Sequence, residues 1–346
     1  MPFVVPLLAA ALVSVSEGCA DPTLEGLDSR DLPCPEAEDI LPCECTVHGS
    51  YNLNMYCSDV DSDELARVFS AHFPFTQHWR LDVRYSDRLD VLRKGDLGVV
   101  SIDDFGIIFS GLREVQEEAL SQSYSTVERI GLSYNQISKF PFHELPLFTA
   151  LRQLYLYDNK LDQFPELNSD SLRLVSLSFN LMSDVPVDGF KGVPNLEVFA
   201  FEGNNLEHIT PGTFSGLPHL QRVYIPRNKL SRIQEGALAV ASDFFRELVL
   251  FGNNISIIEP FAITGISGAN LRLDGNSLTV LDEAVFRPLL EDKVSIFLEA
   301  NPLSCECDIA WLVTAPDLMA QIADAAACFN GQLLADLDPA IYENLC

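Results

Sequence analysis

The sequence is poor in basic residues. Lysine and arginine together number 22 against 50 aspartates and glutamates, which gives a formal net charge of −28 across 346 residues. A surface with this excess of negative charge repels phosphate backbones and anionic membranes. We therefore expect no nucleic acid partner and favour a basic or neutral one, although acidic side chains also serve simply to keep a secreted protein soluble.

The sequence also lacks a hydrophobic run long enough to span a bilayer. Its main apolar stretch, PFVVPLLAAALVSV at residues 2–15, falls short of the roughly 18 residues that a spanning helix needs. Small residues follow it, which is typical of a secretory signal peptide cut between Ser16 and Ala20, although no lysine or arginine precedes the run. Because no second apolar run and no hydrophobic tail follow, we expect a signal peptide at residues 1–20, no membrane anchor, and a protein that is free outside the cell.

Cysteine is absent from the middle of the chain. Of nine cysteines, Cys19 falls within the predicted signal peptide, and none lies between Cys57 and Cys305. The other eight form two quartets: Cys34, Cys43, Cys45 and Cys57, then Cys305, Cys307, Cys328 and Cys346. An even number in an exported protein favours disulfides, and the CxC spacing in each quartet is not the usual zinc spacing. Four cysteines allow three pairings per quartet, so the residues by themselves leave the connectivity open.

Motifs that support known chemistry are missing. The chain has no HExxH, GxSxG, P-loop or GxGxxG, and the acidic run DVDSDE at residues 59–64 lacks the pattern of a calcium loop. Its six histidines are scattered, without the spacing of a metal site and without a nucleophile and carboxylate in frame. We therefore predict no catalytic residue, no metal and no cofactor, and a protein that is not an enzyme.

What the chain does have is a repeat of the form LxxLxLxxNxL. Its asparagines recur at intervals of 21 to 25 residues, and LDVRYSDR and FGIIFSGL are two weaker earlier copies with serine in the asparagine place. The ten frames have this residue at Ser86, Ser110, Asn135, Asn159, Asn180, Asn204, Asn228, Asn253, Asn276 and Asn301. The pattern resembles the leucine-rich repeat. It predicts an α/β solenoid, a leucine-rich-repeat horseshoe with a parallel concave sheet, made of about ten repeats over residues 78–303.

The spacing also predicts how each repeat packs. Each should supply one short strand whose fourth- and sixth-position residues point into a core that only stacked neighbours can bury. We expect each asparagine side chain to bond backbone groups of the next coil, because a buried amide needs such partners. On the return path we expect a stack of bulky side chains at Phe190, Phe214, Phe261 and Phe286, with Leu238 in the same place. The short repeat between Asn159 and Asn180 should have a tighter convex loop.

The two cysteine quartets lie where a solenoid would otherwise expose its core. The stretches from CPEAEDILPCEC to NLNMYC, and from NPLSCECDIAWL to the last residue, resemble the cysteine-rich caps of extracellular leucine-rich-repeat proteins. That resemblance implies the pairs Cys34–Cys45, Cys43–Cys57, Cys305–Cys328 and Cys307–Cys346, and we expect Trp311 to cover the last repeat. The chain then divides into a signal peptide (1–20), an acidic lead with the N-terminal cap (21–77), the repeats (78–303) and the C-terminal cap (304–346).

Aromatic residues recur at strand positions that face away from the core. Alignment of the repeats places on the concave face Tyr85, Phe109, Tyr134, Tyr155, Tyr157, Phe179, Tyr224, Phe251 and Phe297. Tyrosine and phenylalanine suit interfaces, because they contribute a large contact area at a small entropy cost. We therefore interpret these nine residues as a partner-binding surface centred between Phe109 and Phe179. The alternative is that some of the rings only stack on one another along the sheet.

One modification site is visible in the sequence. Asn254-Ile255-Ser256 is an N-glycosylation sequon. Asn254 directly follows a repeat asparagine, where we expect an exposed side chain. The sequence therefore predicts a glycoprotein.

Several stretches of the chain resemble one family of crustacean proteins. These are CPEAEDILPCECTV, NLNMYC, ISKFPFHELPLF, FRPLLE, NPLSCECDIAWL and LADLDP. They are similar to the non-catalytic, leucine-rich-repeat subunits of Oplophorus-type luciferases. The resemblance implies a secreted subunit without catalytic residues, which holds or stabilises a small secreted catalytic chain in a hetero-oligomer. The alternative is a soluble extracellular recognition protein of immunity or the matrix.

Overall fold

The computed structural model describes residues 34–48, 52–323 and 325–346. The predicted signal peptide, the acidic lead as far as residue 33 and Cys19 lie outside the described residues. The domain boundaries after residues 20, 77 and 303 stay predictions. Within the described ranges, no helix is both long enough and apolar enough to cross a membrane.

Short strands make up most of the regular structure. In chain order they are β1 (Glu44–His48), β2 (Asn52–Ser58), β3 (Gln77–Arg84), β4 (Val91–Leu92), β5 (Ser101–Ile108), β6 (Glu114–Val115), β7 (Arg129–Gly131), β8 (Gln153–Tyr155), β9 (Leu174–Ser176), β10 (Val198–Ala200), β11 (Arg222–Tyr224), β12 (Arg232–Ile233), β13 (Leu238–Ala239), β14 (Glu247–Val249), β15 (Ile257–Ile258), β16 (Ile263–Thr264), β17 (Asn270–Arg272) and β18 (Ser295–Phe297).

Twelve of these strands form one sheet, in the order β1-β2-β3-β5-β7-β8-β9-β10-β11-β14-β17-β18. β1 and β2 pair antiparallel, and every later neighbour pairs parallel with a register of one repeat, so that Leu154 lies between Ile130 and Val175. Three two-stranded sheets, β4–β6, β12–β15 and β13–β16, lie on the return paths. The predicted leucine-rich-repeat solenoid with a parallel sheet is confirmed.

The helices are short and lie in the caps or on a return path. They are α1 (Ala37–Ile40), α2 (Ser62–Phe69), α3 (Glu283–Glu291), α4 (Ala310–Val313), α5 (Pro316–Met319) and α6 (Pro339–Leu345). α2 is capped by Asp61, whose carboxylate accepts from the amides of Asp63 and Glu64, while Glu64 accepts from the amide of Asp61. This reciprocal cap satisfies backbone donors that the first helical turn leaves free.

The repeat leucines form one continuous core, while alternate residues of the same strands face outward. Leu154 and Leu156 are fully buried between neighbouring coils, whereas Tyr155 and Tyr157 remain half-buried on the opposite face. Strand geometry requires this alternation, because successive side chains point to opposite faces. The concave face is therefore the surface on which the aromatic residues lie.

The repeat asparagines form a buried column along the solenoid. The Asn159 side chain donates to the carbonyl oxygens of Leu132, at 2.9 Å, and Leu156, at 3.1 Å, and accepts from the amide of Ile137 at 2.8 Å. Leu132 and Ile137 belong to the preceding coil, so the expected bond to the next coil was wrong in direction. The turn before each asparagine places the side-chain amide between a backbone carbonyl of its own coil and a backbone carbonyl just after the strand of the preceding coil.

Serine replaces asparagine in the first two repeats with fewer bonds. Ser86 accepts from the amide of Val60 at 3.2 Å, and Ser110 accepts from the amide of Ser86 at 3.1 Å. Each hydroxyl also donates to a carbonyl two residues earlier. A hydroxyl has one donor where an amide has two, so these two positions hold the coils together with a smaller set of bonds.

On the return path, Phe190, Phe214 and Phe286 are buried as expected, but Phe261 is 67% exposed. Its predicted place in the stack was wrong. Ile263 fills that place, paired in register with Leu238 across β13 and β16. The reason is spacing, since Phe261 lies two residues too early in its repeat to reach the core.

Disulfides staple both ends of the solenoid. The structure joins Cys34 to Cys45, Cys43 to Cys57, Cys305 to Cys328 and Cys307 to Cys346, which are the pairs that the resemblance implies. Next to the last repeat, Trp311 donates its ring N–H to the carbonyl of Leu281 at 3.1 Å and packs against the core. Both ends of the hydrophobic core are thereby closed.

One buried histidine lies at the junction of the N-terminal cap and the first repeat. His78 occupies the first leucine position of its repeat, has no solvent exposure and packs edge-on against Phe73 at 5.0 Å. Neither ring nitrogen meets the geometry of a hydrogen bond within the described residues, and the nearby Phe75 backbone only partly opposes the effect of burial on the pKa of this ring. Burial lowers the pKa of His78 to about 4, because a charged imidazole would lose its hydration there.

Candidate functional site

The residue directly before each column asparagine or serine, called here the turn position, has a left-handed backbone in all ten repeats, with φ between +51° and +67°. Its occupants are Tyr85, Phe109, Tyr134, Asp158, Phe179, Gly203, Arg227, Gly252, Gly275 and Ala300. Glycine adopts this conformation freely, whereas a residue with a Cβ atom is destabilised by roughly 1–2 kcal/mol. Four aromatic residues are thus held against their local backbone preference.

These four rings and Tyr157 form a continuous stack, called here the aromatic ladder (Tyr85, Phe109, Tyr134, Tyr157 and Phe179). Successive ring centroids are 5.9, 4.3, 5.0 and 4.9 Å apart. The first two contacts are nearly parallel, with 16° between planes, and the last two are tilted. Because one ring comes from each of five adjacent repeats, the strand spacing of about 4.8 Å sets the spacing of the ladder.

The ladder ends at Gly203, in the sixth repeat. A Cβ atom at Gly203 would lie 2.7 Å from the Phe179 ring, so glycine lets that ring lie directly against the backbone. At the other end Tyr85 is 66% exposed and Phe109 41% exposed, while the three later rings are half-buried. The ladder therefore presents a graded apolar ridge along the N-terminal half of the concave face.

The fourth repeat departs from the pattern. Its ring comes from Tyr157, one residue before the turn position, and Asp158 occupies the turn position itself. Burial raises the pKa of the Tyr157 hydroxyl, and the neighbouring Tyr134 hydroxyl and the carboxylates of Glu202 and Asp158 raise it further. Tyr157 therefore stays protonated at neutral pH in a region of negative potential.

Beside the ladder, side chains from four adjacent strands form a paired-arginine strip (Arg80, Asp104, Arg129 and Tyr155). Asp104 accepts from Arg80 at 2.6 Å and from Arg129 at 2.8 Å, and the Arg129 guanidinium lies 5.1 Å from the centre of the Tyr155 ring. Gly131 lies on the same strand as Arg129, and a Cβ atom there would be 3.4 Å from that guanidinium, an ordinary contact distance. With two arginines sharing one aspartate, the strip keeps a single formal positive charge.

The C-terminal half of the face repeats this pairing without a ladder. Arg227 bonds Glu202 at 2.7 Å and lies over Phe251, and Arg272 bonds Asp274 at 3.0 Å and lies over Phe297. Burial raises the pKa of Glu202, while Arg227 acts in the opposite direction. Here the rings support the chain's own arginines.

Tyr224 belongs to the same half and has a different partner. Its hydroxyl donates to Glu247 at 2.9 Å across one repeat. Burial raises the pKa of this hydroxyl, and the Glu247 carboxylate raises it further. Tyr224 therefore remains a hydrogen-bond donor at neutral pH.

The nine predicted rings therefore lie on one face but divide into two kinds. Five stack in the ladder, whereas Tyr155, Tyr224, Phe251 and Phe297 pair with charged residues of neighbouring strands. Sequence reasoning missed Asp104 and Arg129, although an arginine and an aspartate at the same strand position in adjacent repeats were a usable signal. It also missed Tyr56, a residue of β2 that pairs in register with Asp82 of β3 and extends the concave face into the N-terminal cap.

Neither a metal centre nor a catalytic group emerges from this arrangement. Across the described ranges, no group of three or more histidine, cysteine, aspartate or glutamate side chains could hold a metal ion. Asn254 is exposed beside the buried asparagine column, and its side chain accepts from Ser277 at 3.2 Å. The concave face, with rings and paired charges, offers contact area rather than reactive groups.

Comparison with known proteins agrees with this picture. The family model described as Leucine rich repeat matches residues 170–230. A chain in the octameric complex of latrophilin 3, Unc5D and FLRT2 has a TM-score of 0.67 at 21% identity, covering 82% of this chain and 88% of that one. A chain of the LRIM1/APL1C complex gives 0.52 at 18% identity, covering 76% and 47%. The class is a disulfide-capped leucine-rich-repeat solenoid, a protein-interaction fold without catalytic function.

A more similar relative identifies the family. The Oplophorus-luciferin 2-monooxygenase non-catalytic subunit of Oplophorus gracilirostris is 34% identical over 330 residues, which cover 94% of this chain and 92% of the relative. The chain belongs to the family of that non-catalytic subunit. The resemblance found in the sequence is confirmed.

Proposed function

We propose that this protein is a secreted, non-enzymatic subunit that holds a partner protein against the aromatic ladder on its concave face. The observation that carries the proposal is the unbroken run of five rings, four of them at left-handed turn positions. Glycine, which occupies three later turn positions, would relieve that strain. Strained residues persist where function requires their side chains.

Exposure and charge support the same face. The ladder rings are all partly exposed, and Tyr85 and Phe109 are the most exposed of them. Rigid, partly exposed rings suit a protein interface, because little conformational freedom is lost when they are covered. Arg80 and Arg129 are both bonded to Asp104, so a partner contacting this region meets arginines that a carboxylate already holds in place.

The partner that fits the family is a small secreted catalytic chain. The relative is by its name a non-catalytic subunit, which implies a second chain that does the chemistry. Secretion is supported by four disulfides, since such bonds persist in oxidising compartments. The proposal includes N-glycosylation at Asn254. A glycan there would lie in the eighth repeat and would leave the ladder of the first five repeats uncovered.

Size-exclusion chromatography of the native protein from its secretory source, with mass spectrometry of each fraction, tests this function. We expect a smaller chain to co-elute in fixed stoichiometry, and fractions that emit light with coelenterazine would identify it as a luciferase chain. A lone peak would contradict the holding role. A different, non-luminous partner would instead favour the extracellular recognition role.

A further inference from the structure

One carboxylate beside the ladder has no side-chain partner within the described residues. Asp158 lies between the repeats of Tyr134 and Phe179, is half-buried, and takes part in no side-chain hydrogen bond or ion pair within the described residues. In contrast, Asp104 and Glu202 on the same face each bond an arginine. A partly buried carboxylate without a counter-ion is unfavourable, so its retention calls for an explanation.

Backbone conformation alone does not explain this residue. Aspartate tolerates the left-handed conformation, but asparagine and glycine do so as well, and glycine occupies Gly203, Gly252 and Gly275 at the equivalent position. Either substitute would satisfy the turn without a charge. The charge is therefore the property that remains unaccounted for.

The rings beside Asp158 suit a cation. Ring faces carry negative electrostatic potential, and guanidinium groups bind over them within about 6 Å of the ring centre. Arg129, Arg227 and Arg272 already show this geometry elsewhere on the same face, each 5.1 Å from its ring centre. The net charge of −28 attracts positive ligands towards the molecule as a whole.

We propose that Asp158, with the flanking rings of Tyr134, Tyr157 and Phe179, receives one arginine side chain carried on an apolar segment of the partner. This inference rests on the proposed function and specifies its partner's contact residue. The apolar segment covers the ladder, and the arginine supplies the counter-ion that Asp158 lacks. Arginine fits better than lysine, because its planar group can stack on a ring while bonding a carboxylate.

A pair of synthetic peptides tests the inference directly. Both are short, acetylated, leucine-rich helices, and the central residue on the apolar face is arginine in one and its neutral isostere citrulline in the other. We expect the wild-type protein to bind the arginine peptide about tenfold more tightly than the citrulline peptide, measured by titration calorimetry. Asp158→Asn should abolish this preference.

The matched control is Asp162→Asn, which removes the same charge from an exposed aspartate of the same repeat. This variant should keep the tenfold preference. Equal binding of the two peptides by the wild type, or a preference that survives in Asp158→Asn, would overturn the inference. If the two peptides bind equally and Phe109→Gly abolishes the binding of both, the ladder proposal stands and only the inference that Asp158 receives an arginine fails. If neither peptide binds, the result counts against both the ladder proposal and the arginine inference.

Discussion

The strain at the turn position can be tested by comparing glycine with alanine at two tyrosines. Glycine should be the more stable replacement at the turn position and alanine the more stable one within a strand. Tyr134 has φ +59° and contacts the rings of Phe109 and Tyr157. Tyr155 lies on the same concave face but within strand β8, with an extended backbone. Replacing each tyrosine once with glycine and once with alanine removes the same side-chain contacts at that site, so the difference between the two variants isolates the backbone.

The expected magnitude follows from the backbone conformation. In the left-handed region an alanine is destabilised by roughly 1–2 kcal/mol relative to glycine, and glycine gives back about 0.5–1 kcal/mol through its greater freedom in the unfolded chain. At position 134, glycine should therefore be more stable than alanine by about 0.5–1 kcal/mol. At position 155 the order should reverse, with alanine more stable by about 0.5–1 kcal/mol, because no left-handed strain is relieved in a strand.

Urea unfolding of the four variants measures both differences. The free energy of unfolding is obtained from each midpoint with a shared slope, so that the differences within a pair do not depend on a long extrapolation. Glycine should raise the midpoint relative to alanine at position 134 and lower it at position 155. The same order at both positions would refute the claim that the ladder rings are held at strained positions.

Two further predictions concern the solenoid itself. Because the folded pKa of His78 is about 4 against 6.5 in the unfolded chain, the unfolded state binds the extra proton, so the free energy of unfolding should fall by up to about 3 kcal/mol as pH drops from 6.5 to 4. The His78→Leu variant, measured by urea unfolding, should not lose this stability. If its free energy of unfolding depends on pH as steeply as that of the wild type, the prediction is wrong. Asn204→Leu should cost about 2 kcal/mol by leaving the amide of Met182 unpaired, whereas Asn205→Leu, at the partly exposed neighbour, should cost under about 0.5 kcal/mol. Equal midpoints for those two variants would exclude the structural role of the column.

The repeat spacing was sufficient to predict the fold, the concave sheet and the buried asparagines. Those features depend on one residue type recurring at a fixed interval, and the eight asparagines are all buried in the structure. The caps followed from cysteine placement and resemblance. The sequence also placed Tyr85 and Phe297 correctly on the same face.

The division of the nine rings could not be predicted, because it depends on contacts between repeats. Whether a ring stacks, as Phe109 does on Tyr134, or supports an arginine, as Phe297 does, is decided by which residue the neighbouring coil presents. The misplacement of Phe261 has a different cause. Phe261 lies eight residues after its asparagine, whereas Phe190, Phe214 and Phe286 lie ten residues after theirs, a difference that the sequence itself contains. The burial of His78 was missed because a histidine at the first leucine position does not match the apolar pattern of the repeat.

The affinity of two matched variants for the co-purified partner tests the central claim most directly. Phe109→Gly and Phe261→Gly make the same substitution at exposed phenylalanines with left-handed backbones, one in the aromatic ladder and one on a return path away from the concave sheet. Each variant is immobilised on a sensor surface and the affinity of the partner is measured. The affinity should fall about tenfold or more for Phe109→Gly and stay at the wild-type value for Phe261→Gly. Equal affinities for the two variants would contradict the assignment of the aromatic ladder as the partner site.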